Sequence, residues 1–231
     1  MKYLIIAVGL SLLTPPSLFA QEHDKSGQDP AAYVTGLGGF TRSLGSTAGN
    51  MLVQGGVRLA PHVMAFGDLG RFGDLGGDLQ PTLDTTTAAL AANQDLTVTG
   101  GGTLPAWYSL GGLRVSIPTK SPIQPYVLGG LGVARLNPQP QFTFSSGTMP
   151  DGSTPDVGTD VTTAIASAGG FTAPPASSAL MYTLGGGVQV PMARHWMVDT
   201  GYRFSRIAAD STLSASALNA PGMTFGVGYR F

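Results

Sequence analysis

The 231-residue chain has no cysteine, a single glutamate (Glu22) and charged residues at only 11% of positions. The missing cysteine rules out a thiolate enzyme, a Cys-ligated zinc site, a disulfide framework and a lipid anchor on an N-terminal Cys. The scarcity of charge is uncommon for a soluble surface, where about a quarter of residues are charged. A net charge of -1 leaves no basic face for nucleic acid. No apolar run reaches the ~20 residues that a membrane-spanning helix needs. What remains is a chain that is 42% hydrophobic and carries 34 glycines and 17 prolines.

The first twenty residues read as an export signal. Lys2 supplies a positive start, YLIIAVGLSLL an apolar stretch, and TPPSLFA a small-residue end at Ala20. The expected organisation is therefore a signal peptide over 1–20, a polar periplasmic lead-in over 21–30, and one β domain over 31–231.

Within that domain a unit recurs: QGGVRLAPH at 54–62, LGGLRVSIP at 110–118 and LGGGVQVPM at 184–192. Each joins a glycine pair to alternating apolar residues and a proline, and each is followed by another strand-like run. The starts are unevenly spaced, so the repeat is a hairpin and not a solenoid. Counting runs predicts eight strands, at 31–40, 50–60, 63–72, 106–117, 124–136, 180–190, 196–207 and 222–231. Most have the ~9–11 residues of a tilted membrane-crossing strand. Short links alternate with longer ones, of which 73–105 and 137–179 are the longest, long enough to be functional or disordered.

Alternation separates the faces of several strands. Met51, Val53, Val57 and Leu59 oppose Gln54, Gly56 and Arg58; Val198, Tyr202 and Phe204 oppose Asp199, Gly201 and Arg203. The first, third and fifth strands show no such contrast. An apolar outside with a small or charged inside reverses a soluble barrel, such as one of lipocalin type. A sheet in lipid must close, because each unpaired backbone group there costs several kcal/mol. The expected fold is thus all-β: a closed antiparallel eight-stranded transmembrane β-barrel, the last strand pairing with the first near Tyr33.

PYVLGGLGVAR (125–135), YTLGGGVQVPM (182–192), VDTGYRFS (198–205) and the closing VGYRF resemble the small eight-stranded outer-membrane β-barrels, similar to opacity-type surface proteins and the barrel domain of outer membrane protein A. The resemblance implies a cell outer-membrane location with tight turns in the periplasm. It also implies that the last strand is read by the barrel-assembly machinery, at Tyr229 and Phe231.

Arg58, Arg114, Asp199, Arg203 and Arg230 fall on the expected inner faces, and Asp68 completes a set of six where the third strand faces the same way. Buried charges need partners, and eight strands enclose room for little more than side chains. A salt-bridged plug is therefore favoured over an arginine-lined ion path. The long loops hold Asp74, Asp78, Asp84, Asp95, Asp151, Asp156 and Asp160 without a Lys or Arg. Asp–Gly turn chemistry accounts for them better than calcium binding does. His62 and His195 are expected at periplasmic turns, and no Ser-His-acid group assembles, so no catalytic site, metal or cofactor is expected. Trp107, Tyr108, Tyr182, Trp196, Tyr202 and Tyr229 suit interfacial girdles. The expected role is structural or surface-interactive, as a monomer. Its partners are outer-membrane lipids, the assembly machinery, and a host or neighbouring-cell surface met through the loops. A small porin-like channel is the alternative, followed by a lipid-modifying enzyme.

Overall fold

The computed structural model describes residues 30–43, 46–76, 79–208 and 217–231. The expected signal peptide and nearly all of the lead-in lie outside them. Eight strands close the wall: β1 (Ala32–Ser43), β2 (Ser46–Ala60), β3 (Val63–Phe72), β5 (Ala106–Ser116), β6 (Gln124–Leu136), β8 (Ser177–Pro191), β9 (Trp196–Ile207) and β10 (Leu218–Arg230). Their order around the barrel is β1-β10-β9-β8-β6-β5-β3-β2. The seam is antiparallel, from Tyr33 opposite Arg230 to Thr41 opposite Gly222.

The alternation of the sequence becomes two surfaces. On β2, Leu52, Gln54 and Gly56 are buried, while Met51, Val53 and Val57 are exposed. The three strands without contrast owe this to large apolar residues on the inner face as well. Tyr33 and Leu37 of β1, Met64 and Phe66 of β3, and Tyr126 and Leu128 of β6 all point inward, beside outward glycines such as Gly36 and Gly67.

Closing so few strands curves the wall tightly, and glycine makes this possible at the seam. A Cβ on the inward Gly226 would collide with the backbone of Gly36 on β1, whereas a Cβ on the outward Gly36 would meet nothing within 4 Å.

The two longest connections are not irregular loops. The first contains α1 (Leu79–Gln94) and β4 (Thr97–Thr103); the second contains β7 (Gln139–Ser146) and α2 (Thr162–Ser167). β4 and β7 pair antiparallel, from Val98 opposite Phe144 to Thr103 opposite Gln139, so the two connections form one cap. Leu83 and Leu90 of α1, Phe142 and Phe144 of β7, and Ile165 of α2 are buried there. That apolar cluster runs on into Phe72, Tyr108 and Leu110 of the barrel. Asp74 ties the cap to the wall by accepting hydrogen bonds from the amides of Gly76 (2.9 Å) and Leu104 (2.8 Å).

Replacing Gly226 with alanine should abolish most refolding into vesicles, because overpacking against backbone cannot be relieved by a rotamer change. Gly36→Ala should refold like the parent. Heat-modifiable electrophoretic migration measures both, and equal folded fractions would refute the steric account of the seam.

Candidate functional site

The barrel interior holds a hydrogen-bonded charge lattice. Gln54 and Asp68 are cross-strand neighbours on β2 and β3. The Tyr33 hydroxyl donates to Gln54 Oε1 at 2.9 Å, Gln54 Nε2 donates to Asp68 Oδ1 at 2.8 Å, and Arg203 Nη1 pairs with Asp68 Oδ2. A second branch centres on Asp199 of β9. It accepts from the Tyr126 hydroxyl at 2.7 Å and from Gln189 Nε2 at 2.8 Å, and Arg114 Nη1 lies 3.5 Å from its Oδ2. The Arg114 guanidinium carbon sits 3.7 Å from the Tyr126 ring centre and 5.3 Å from that of Tyr33, which joins the branches. Two arginines and two aspartates make the lattice formally neutral. Near the tight-turn end Tyr33, Met64 and Met197 form a separate apolar group.

Each buried ion forfeits several kcal/mol of hydration, and only close pairing with further hydrogen bonds offsets that loss. The tyrosine and glutamine donors supply those bonds to the carboxylates, and the Tyr126 ring face supplies a cation–π contact to Arg114.

Of the six charges expected inside, the structure brings together Asp68, Arg114, Asp199 and Arg203. Arg58 and Arg230 keep the inward register but not the company. Arg58 is exposed opposite Met64, two residues from the end of β2. Arg230 ends β10, and its Nη2 reaches the Ala193 carbonyl at 3.4 Å. Alternation gives the facing of a side chain but not its height, and both stand where the wall opens to water. Sequence reasoning overlooked Tyr33, Gln54, Tyr126 and Gln189. The two glutamines were visible, since each occupies the charge-bearing register of a repeated hairpin.

Tyr229 anchors an aromatic group at the tight-turn rim, with ring centres 5.3 Å from His195, 5.5 Å from Trp196 and 5.1 Å from Phe231. His195 Nδ1 lies 3.1 Å from the Arg230 carbonyl oxygen.

The carboxylates of the cap serve its own turns. Asp151 accepts from the Ser153 hydroxyl at 2.6 Å and amide at 2.9 Å, and Asp160 from the Thr162 hydroxyl at 2.6 Å and amide at 3.0 Å. These hydroxyl and amide bonds hold both carboxyls below the usual carboxylate range. Among the described residues no group of three or more His, Cys, Asp or Glu could hold a metal ion.

The sequence matches, over residues 10–231, the family model described as outer membrane protein beta-barrel domain. Comparison with the curated proteins finds no match. Among solved structures the chain is similar to Neisserial surface protein A (NspA), with a TM-score of 0.52 and 15% identity, over 89% of this chain and 100% of that one. A major outer membrane protein from Thermus thermophilus aligns with a TM-score of 0.48 and 12% identity, over 87% and 100%. The outer membrane protein OprG from Pseudomonas aeruginosa gives 0.42 and 14%, over 89% and 98%. At such identities the likeness is one of fold.

Replacing Asp199 with alanine strands Arg114 in the interior and should cost about 3–5 kcal/mol of stability, read from the denaturant midpoint. Arg114→Met combined with Asp199→Leu should lose less than Asp199→Ala alone; a larger loss would mean that pairing is not what the lattice supplies. The cap carries a pH dependence of known sign. A depressed carboxyl stabilises above the unfolded value, near ~3.9, and stops doing so as pH falls through the folded one. The amide NMR shifts of Ser153 and Thr162 should therefore stay constant above about pH 5 and move only in more acidic solution.

Proposed function

The chain belongs to the outer membrane protein β-barrel family, and from that premise we propose that it is a structural, surface-contact protein of the cell outer membrane. The barrel anchors it in lipid, the tight turns face the periplasm, and the cap is the surface offered to a host or neighbouring cell. The observation that carries this reading is the joining of the two longest connections, through the β4–β7 ladder and a shared apolar core, into one rigid platform. Loops that served only as links would not need a core of their own.

Two further features support it. The lumen under the cap is filled by a neutral lattice of buried side chains, which suits an anchor better than a channel. His62 and His195 flank the short turns at the opposite end from the cap, away from any pocket that the cap could form. One fold neighbour is by name a surface protein. The reading also gives Tyr229 and Phe231, which share the outward face of the tight-turn rim, to recognition by the barrel-assembly machinery.

Proteoliposomes carrying the intact protein should bind cells at least tenfold above those carrying a version with 79–103 and 139–171 replaced by short glycine–serine links. Both versions should migrate as folded barrels, and planar-bilayer recordings of the intact protein should stay at baseline. Equal binding by the two would remove the cap from the account, and discrete conductance steps would favour a pore. Because the chain has no cysteine, Asp84→Cys on the exposed face of α1 offers a unique thiol. A membrane-impermeant maleimide should label it in intact cells.

A further inference from the structure

Of the arginines that stand outside both the lattice and the cap, four obey one rule. Arg42, Arg71, Arg135 and Arg206 are each the next-to-last residue of a strand, of β1, β3, β6 and β9 respectively. These are the strands that climb from the tight-turn end to the cap end, and in the order β1-β10-β9-β8-β6-β5-β3-β2 they are every second strand. A guanidinium therefore recurs at even steps around the wall. All four are exposed and lie in the outward register.

Their height is set by what lies on either side. Two residues nearer the barrel middle, on the same outward face, are Phe40, Leu69, Val133 and Phe204, the upper edge of the apolar belt. Beyond them is the cap, whose 73–105 and 137–179 segments carry seven aspartates and no Lys or Arg. Trp107 stands between Arg71 and Arg135 in the ladder, and the Arg71 guanidinium carbon is 5.6 Å from its ring centre. Tyr182 stands beside Arg206. Trp and Tyr favour the membrane–water boundary, so the arginines mark that level too.

Among the described residues none of the four is ion-paired to a carboxylate. Near the boundary an outward arginine is far less costly than at the midplane, and its stem can lie along apolar wall while the charge reaches water. Its planar fork matches phosphate in a bidentate way. A ring of forks that are all open to the outside fits an anion that itself surrounds the barrel.

We propose that Arg42, Arg71, Arg135 and Arg206 form a belt that binds the phosphate-bearing headgroups of outer-leaflet lipids and holds a lipid shell beneath the cap. The aspartates above repel the same phosphates, which confines them to the belt. Assignment to the outer leaflet rests on the orientation given under the proposed function. Labelling at Asp84→Cys tests that orientation separately from lipid binding.

The test uses the folded full barrel in neutral detergent, examined by native mass spectrometry with diphosphoryl lipid A as the probe. The parent should retain the lipid at least tenfold better than a variant with all four arginines changed to glutamine, and the four-lysine variant should recover part of the difference. Exposed strand-end positions permit these changes, and electrophoretic migration verifies folding. Changing Lys120 and Arg194 at the opposite end to glutamine should leave retention unaltered, and inorganic phosphate at equal concentration should not displace the lipid. Equal retention by the parent and the four-glutamine variant would overturn the proposal. A matching loss in the Lys120/Arg194 variant would overturn it in favour of bulk charge, and displacement by inorganic phosphate in favour of a free-anion site.

Discussion

The pairing of β1 with β10 is the constraint from which the other features follow. Inside a bilayer there is no water to take up the backbone groups of an open edge, so the sheet is stable only as a ring. The seam joins nine residue pairs, from Tyr33 with Arg230 to Thr41 with Gly222. Closing a ring of eight strands demands a curvature that side chains on the inner face would obstruct. Gly226 answers this at the seam, where it lies against the Gly36 backbone.

A ring that small leaves an interior too narrow for a bulk-water channel yet too polar to collapse, since β3, β5 and β9 each deliver a charge to it. The lattice resolves the conflict by distributing two Arg–Asp pairs over a framework of Tyr33, Tyr126, Gln54 and Gln189. Its members come from β1, β2, β3, β5, β6, β8 and β9, so it also ties together strands that are not neighbours in the wall. Buried ion pairs are weak sources of net stability but costly to break singly. Their effect here is to fix register: a two-residue slip of β3 against β2 would part Gln54 from Asp68 and leave Arg203 uncompensated.

Strand centres and barrel closure were legible in the sequence because lipid outside and a crowded lumen inside impose opposite chemistries on alternate residues. That contrast fails where Tyr33, Met64 or Tyr126 puts a large side chain inward beside an outward glycine, so the facing of β1, β3 and β6 came only with the structure. The cap was hidden for a different reason. β4 and β7 are separated in sequence by two barrel strands, and no local pattern announces a ladder of that range. α1 did leave a trace, in Leu79, Leu83 and Leu90 at helical spacing, within a Thr- and Ala-rich segment whose texture reads as loop. Alternation puts Arg58 and Arg230 in the inward register but carries no depth, so their places near the open end of the wall came only with the structure.

Depth organises the remaining charge. Counting from the cap inward, the barrel presents aspartates, then four outward arginines, then an apolar belt whose charges, among the described residues, are turned inside and paired, then the basic and aromatic tight-turn rim with Arg58, Lys120, Arg194, Tyr229 and Phe231. Each layer matches the medium at its height: water, headgroup, hydrocarbon, headgroup again. The sign reversal between cap and belt is the informative step. A surface that served solubility alone would mix both signs, whereas a negative cap directly above positive forks confines an anionic layer to a single level. The arginines that the lumen does not require are thus accounted for by the same medium that requires the ring to close.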